Sequence, residues 1–195
     1  MHNKELTRIS RGMAAILRHG IGGAEIDENG WAKLNELSQT LTKILKTKVT
    51  EEDILNVVKN DIIGRYELDV DKMKIRALYG HSIPVAIEYK IIKPHEVKDL
   101  YHGTVMEKID SIRREGLKPL NRLWVHLYSS YKLAVERSLR RKGRPAILTI
   151  DAKQLAASKY MLFKAGKYVY VTKHVPSKFI KRITKLESYH ENLKA

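Results

Sequence analysis

Apolar residues at Leu6, Ile9, Met13, Ile16 and Leu17 recur at helical spacing, and Gly20 ends the pattern. The spacing predicts an amphipathic helix with Arg18 and His19 in its last turn. Asn29-Gly30 signals a turn, and Trp31, Leu34 and Leu37 behind it predict a short second helix. Thr50-Glu51-Glu52-Asp53 reads as a helix start, with threonine as N-cap and acids in the first turn. Ile54, Val57 and Val58 form that helix's apolar face. The period then changes: Arg65-Tyr66-Glu67-Leu68 and Lys74-Ile75-Arg76-Ala77-Leu78 read as extended runs joined through Val70-Asp71-Lys72.

Three short helices followed by a hairpin is the order of a winged helix. From about Ala86 to Lys98 the charge is mixed, with Pro94 inside, which predicts a connector. Past it, Leu100-Tyr101-His102 predicts a strand, Met106–Glu115 a helix ended by Gly116, and Tyr131–Arg140 another helix. Strand-like runs follow at Trp124–Tyr128, Ala146–Ile150, Tyr160–Phe163 and Tyr168–Thr172. The expectation is an α+β chain: a first unit over residues 1–88, a linker over 89–98 and a second unit over 99–195.

Composition narrows the partners. The 195 residues carry a formal net charge of +15, with pI ≈ 9.8. Such an excess favours a polyanion, because neutralising phosphates releases counterions and steers encounter. There is no cysteine, so disulfides and thiolate metal sites are excluded; this suits a reducing cytoplasm. No stretch of about 18 apolar residues and no apolar leader occurs, so a soluble cytoplasmic protein without membrane contact is expected. Gln39 and Gln154 are the only glutamines among abundant Lys, Arg and Ile, a hint of a thermophilic source.

The candidate chemistry is phosphate and ribose handling. Arginine offers a planar, permanently charged fork that grips phosphate oxygens in two places. Arg18-His19 closes the first helix, where the negative end of the helix dipole should raise the proton affinity of His19. Arg65 and Arg76 lie on paired strands and can share a face. Gly80-His81-Ser82 adds a glycine turn with two hydrogen-bonding side chains. In Tyr101-His102-Gly103-Thr104 the glycine lets a ligand approach the backbone, and His and Thr can bond ribose hydroxyls. His126 should face away from its apolar neighbours Val125 and Leu127. Arg137, Arg140, Arg141 and Arg144 form a dense cluster before Pro145. Each feature singly also reads as ordinary structure: helix-end charge complementarity, a strand histidine, a solvated helix face. No P-loop, His-Glu-x-x-His, Cys/His ligand spacing or Gly-x-Ser-x-Gly occurs, so phosphate charge must be met by arginine and no metal is expected.

Taken in order, these segments resemble the NAD-dependent RNA 2′-phosphotransferases of KptA type. The resemblance runs through Leu17-Arg18-His19, Ile26–Trp31, Gly64–Leu68, Ile75-Arg76-Ala77, Gly80–Ile83, Leu100–Thr104, Glu115-Gly116-Leu117, Arg122, Val125-His126-Leu127 and Arg141–Pro145. It implies an N-terminal winged-helix lobe and a C-terminal ADP-ribosyltransferase-like lobe of mixed β structure. It also implies transfer of an RNA 2′-phosphate, tRNA-like and left at a splice junction, to NAD⁺. Nicotinamide is released, an ADP-ribosylated RNA 2′-phosphate forms, and the products are ADP-ribose 1″,2″-cyclic phosphate and RNA with a free 2′-hydroxyl.

By the same resemblance Arg18, His19, Arg65 and Arg141 are catalytic and converge on one phosphate, with His19 protonated. Tyr101, His102, Gly103, Thr104, Gly116, Leu117, Arg122 and His126 hold NAD⁺. Arg76, His81, Ser82, Arg140 and Arg144 meet substrate phosphate or RNA, and the enzyme is a monomer. The chain departs from the family pattern at Trp124, Tyr128, Lys142 and Lys167-Tyr168. Placing the third arginine of the set at Arg141 rather than Arg140 rests on Gly143 and Pro145. Two other readings fit the same charge: a non-catalytic nucleic-acid binder, and an ADP-ribosyltransferase that stops after its first step on terminal phosphates.

Overall fold

The N-terminal apolar period folds as helix. In the computed structural model, which describes residues 3–186, α1 (Asn3–His19) buries Ile9, Met13, Ile16 and Leu17. It stops where Gly20 takes φ +68° and donates to the Ile16 carbonyl at 2.8 Å. The chain divides into two compact units, one running up to Glu88 and including Asn121–Leu123, the other comprising Tyr89–Leu120 and the chain from Trp124 onward.

The first unit continues with β1 (Trp31–Lys33), α2 (Leu34–Leu45), α3 (Glu51–Lys59), β2 (Tyr66–Asp69) and β3 (Lys74–Ala77). Its antiparallel sheet has the order β1-β3-β2. Trp31 is therefore not helical as the sequence pattern suggests. It pairs with Arg76 in a three-residue strand, too short for alternation to announce, and the helix begins only at Leu34. Thr50 caps α3 as expected: its hydroxyl accepts the Asp53 N–H at 3.2 Å, and the Asp53 carboxylate accepts the Thr50 N–H at 2.8 Å. Tyr66, Ile75 and Ala77 turn one face of the hairpin onto Ile16, Leu37, Leu41 and Ile54, closing a core of this unit's own.

The second unit holds β4 (Lys90–Ile91), β5 (Leu100–Val105), α4 (Ile109–Glu115), β6 (Val125–Tyr128), α5 (Tyr131–Leu139), β7 (Pro145–Ile150), α6 (Ala152–Ala156), β8 (Phe163–Lys164), β9 (Val169–Thr172) and β10 (Ile180–Lys185). Its seven-stranded sheet has the order β10-β7-β5-β6-β9-β8-β4, each pair antiparallel. Residues 89–98, expected as linker, contribute an edge strand and a buried Ile92, whose N–H bonds the Leu162 carbonyl at 2.8 Å. Leu100, Val125, Leu127, Leu148 and Ile150 point into one apolar cluster. Separate helices and antiparallel sheets make the chain α+β. Among the described residues no helix is long and apolar enough to cross a membrane.

Candidate active site

The end of α1 gathers charge in the first unit. The Arg18 carbonyl accepts the Ser82 N–H at 2.9 Å, and His19 Nδ1 meets the Ser82 hydroxyl at 2.8 Å, so the loop after β3 is tied to the helix end. Gly80, at φ +95°, lies flat against the Arg18 side chain; a Cβ there would stand 3.1 Å from Arg18 Nε. The guanidinium sits over the Tyr79 ring at 4.9 Å. Its Nε and Nη2 are buried and have no hydrogen-bond acceptor. Buried charge without an acceptor is costly.

Arg65, just before β2, is held differently. Its Nε donates to Asp61 Oδ1 at 2.8 Å, and its backbone N–H bonds the same carboxylate. Burial works against the Arg65 charge, but the Asp61 hydrogen bond overcomes it and the net pKa is raised. Arg18 and Arg65 both act on the phenol of Tyr66, so the two cations belong to one neighbourhood. Tyr66 donates to the Ser10 carbonyl at 2.7 Å, anchoring the hairpin to α1.

In the second unit, His102 Nδ1 donates to the His126 carbonyl at 2.9 Å. A carbonyl oxygen only accepts, so Nδ1 carries a proton in this contact. Tyr101 stands opposite Tyr128 and meets Tyr131 edge-on at 5.3 Å. Arg140 and Arg141 are exposed just past α5, with the Arg141 N–H bonded to the Ser138 carbonyl at 3.0 Å.

A sequence profile described as "RNA 2'-phosphotransferase, Tpt1 / KptA family" matches residues 4–174. The chain belongs to that family. It is 42% identical over 178 residues to "Probable RNA 2'-phosphotransferase" of Pyrococcus furiosus, covering 90% of this chain and 94% of the relative. The protein of the same name from Thermococcus kodakarensis is 42% identical over 175 residues, covering 88% and 94%. That of Fusobacterium nucleatum subsp. nucleatum is 35% identical over 176 residues, covering 89% and 97%. RNA 2′-phosphotransferases are transferases, and this chain is one of them by descent.

Within this family member several expected contacts have other work. Gly103 does not open the backbone to a ligand on its side-chain face: a Cβ there would fall 2.2 Å from the Ala134 carbonyl oxygen of α5. Gly116, at φ +74°, is covered by the Val175 carbonyl. Leu117 exchanges both backbone bonds with Val175, and its side chain lies in the core. Thr104 and His126 are buried; Val125 and Leu127 belong to the apolar cluster and His126 does not, and α5 packs on β6. Arg76 is engaged by Glu67 at 2.7 Å and the Asn29 carbonyl at 3.2 Å, and stacks on Trp31. Arg144 grips Glu107 through its backbone and Nε, each at 3.0 Å.

Arg122 falls with the first unit, not the second, and lies near enough to His19 to repel its proton. The His19 pKa is accordingly lowered, by burial first and then by Arg122 and Arg18, the reverse of the helix-dipole expectation. Burial and two neighbouring cations outweigh one helix end.

His81 is also no cation. It is buried, and burial with Arg18, His19 and Arg76 nearby depresses its pKa to about 4. A histidine depressed from 6.5 contributes stability that is complete above pH 6.5 and is lost as pH falls through 4. That amounts to about 3 kcal/mol. Urea denaturation of the parent and His81→Gln between pH 7 and 4.5 should show the parent losing stability more steeply. Parallel pH dependences would refute the buried neutral ring.

Proposed function

We propose that this enzyme moves an RNA 2′-phosphate, of the kind left at a ligated tRNA-type junction, onto NAD⁺. The reading rests on one observation: Nε and Nη2 of Arg18, the residue before His19 and in the same unit as Arg65, are buried with no hydrogen-bond partner among the described residues. Such a group is satisfied by a phosphate dianion, and a dianion also raises the proton affinity of His19, which burial, Arg122 and Arg18 lower. Arg18 and the Nη atoms of Arg65 then neutralise phosphate oxygens, and protonated His19 donates to one of them. Ser82 holds the His19 ring through Nδ1, leaving Nε2 to face the substrate. Arg141 is carried into this role by its motif position, with Arg140, on the same exposed turn, as a nearby RNA contact.

Tyr101, His102 and His126 supply aromatic and imidazole groups in the second unit, a set fitting a dinucleotide. NAD⁺, when bound, supplies an electrophilic ribose carbon with nicotinamide as leaving group, and carries the phosphate away as ADP-ribose 1″,2″-cyclic phosphate. The architecture is read as a winged-helix unit followed by an ADP-ribosyltransferase-like unit, acting as a monomer in the cytoplasm.

The protein is to be incubated with NAD⁺ and an oligonucleotide bearing an internal 2′-phosphate, with mass detection of products. Free nicotinamide, the cyclic sugar phosphate and 2′-hydroxyl RNA are expected in equal amounts. A phosphate that stays on the RNA with no nicotinamide released overturns the proposal. RNA retaining ADP-ribose as the end product would favour the enzyme that stops after one step.

A further inference from the structure

Arg137 is the second guanidinium in the molecule whose burial is unexplained. It lies on the last full turn of α5, and its Nε is buried with no acceptor. Its Cζ stands 6.0 Å from the centre of the Tyr128 ring, at the outer limit of a cation–π contact. A cation near a helix C-terminus complements the dipole, but a hydrated arginine does so equally well, and that explains no buried donor. Tyr128 is directly opposite Tyr101, which meets Tyr131 edge-on at 5.3 Å. Tyr131 is 41% exposed, so this group of rings reaches solvent. No carboxylate pairs with Arg137 among the described residues.

We infer that Arg137, with Tyr101, Tyr128 and Tyr131, forms a nucleotide site in the second unit in which Arg137 takes a pyrophosphate oxygen. A guanidinium with a buried, unpartnered Nε 6.0 Å from the Tyr128 ring, and Tyr101 paired opposite Tyr128 and meeting Tyr131, match a ligand that joins a flat heterocycle to an anion. A bare phosphate would leave the rings unused, and a neutral nucleoside would leave the charge unmet. α5 is fixed in place because its backbone at Ala134 and Ser138 packs on Gly103, so the arginine is presented by a rigid element. This inference rests on the NAD⁺ reading above and assigns the residue that holds the dinucleotide's charge.

Arg137→Met keeps an unbranched apolar stem and removes the charge; Arg137→Lys keeps a charge without the fork. Calorimetric titration with NAD⁺ and with ADP-ribose should show at least tenfold weaker binding to Arg137→Met, with Arg137→Lys in between. Adenosine, followed by NMR shifts, should bind parent and Arg137→Met within twofold, and the melting temperature of Arg137→Met should not fall. Equal NAD⁺ affinity in parent and Arg137→Met overturns the inference while leaving the phosphotransferase reading standing. So does an adenosine loss as large as the NAD⁺ loss, which marks a structural role, or a loss confined to RNA binding. A parent protein that binds no NAD⁺ overturns both.

Discussion

Arg18→Met is expected to cut phosphate transfer by a factor of about 10² to 10³ while leaving the protein at least as stable as the parent. The two effects share a cause. Arg18 Nε and Nη2 are buried without acceptors, and an unsatisfied buried donor costs about 1–3 kcal/mol. Methionine fills the space of the stem and removes that penalty. What is lost is the stacking on Tyr79 at 4.9 Å, about 1 kcal/mol. The balance falls between no change and a gain of about 2 kcal/mol. Turnover of a 2′-phosphorylated oligonucleotide and urea denaturation on the same preparation read both quantities. A variant that is inactive and destabilised by more than about 1 kcal/mol would make Arg18 a structural residue and remove the main support for the phosphate site. Arg18→Lys should behave nearly as badly in turnover, because an ammonium is a single point charge on a shorter stem.

The opposite treatment of Arg65 and Arg18 explains how much of this site was legible from residues alone. Both arginines stand out in the sequence, but only packing distinguishes them. Asp61, four residues before Arg65, satisfies its Nε, whereas Nε and Nη2 of Arg18 have no partner among the described residues. The same limit applies to Arg76 and Arg144. Their partners Glu67 and Glu107 lie on neighbouring elements, and no reading of one segment reveals them. The histidine at the helix end was mis-signed for a related reason. The dipole is local and visible in sequence, while Arg122 is far along the chain and reaches His19 only in the fold.

Local signals fared better where one element decides the outcome. The apolar period of α1 and its glycine stop, and the capping box at Thr50, are settled within a few residues, and both appear as expected. The short strand β4 and the basic edge strand β10 were missed, and the run expected over Tyr160–Phe163 shares only Phe163 with β8, because these strands are held by backbone pairing rather than by a two-residue apolar alternation. Trp31 was misplaced because a three-residue strand abuts a helix with no intervening turn.

Gly103→Ala is expected to destabilise the second unit by about 3 kcal/mol or more. The added methyl would lie 2.2 Å from the Ala134 carbonyl oxygen and 2.8 Å from the Ser138 nitrogen. Both belong to the backbone of α5, so no rotamer change relieves the clash and the helix must lift from β5. Gly12→Ala is the control. Its methyl would crowd the tip of the Leu41 side chain, at 2.7 Å, with Leu45 at an ordinary 3.7 Å; a side-chain tip can turn aside, and alanine gains about 1 kcal/mol of helix propensity in α1. That variant should stay within about 1 kcal/mol of the parent. The comparison separates two explanations of the glycine in Tyr101-His102-Gly103-Thr104. If it is there so that a ligand can reach the backbone, Gly103→Ala would melt like the parent and lose only NAD⁺ affinity. If it is there so that α5 can lie against the sheet, stability falls before any ligand is added, and binding suffers because α5 no longer holds its side chains over Tyr101 and Tyr128. The distances favour the second, and a melting curve without ligand decides it.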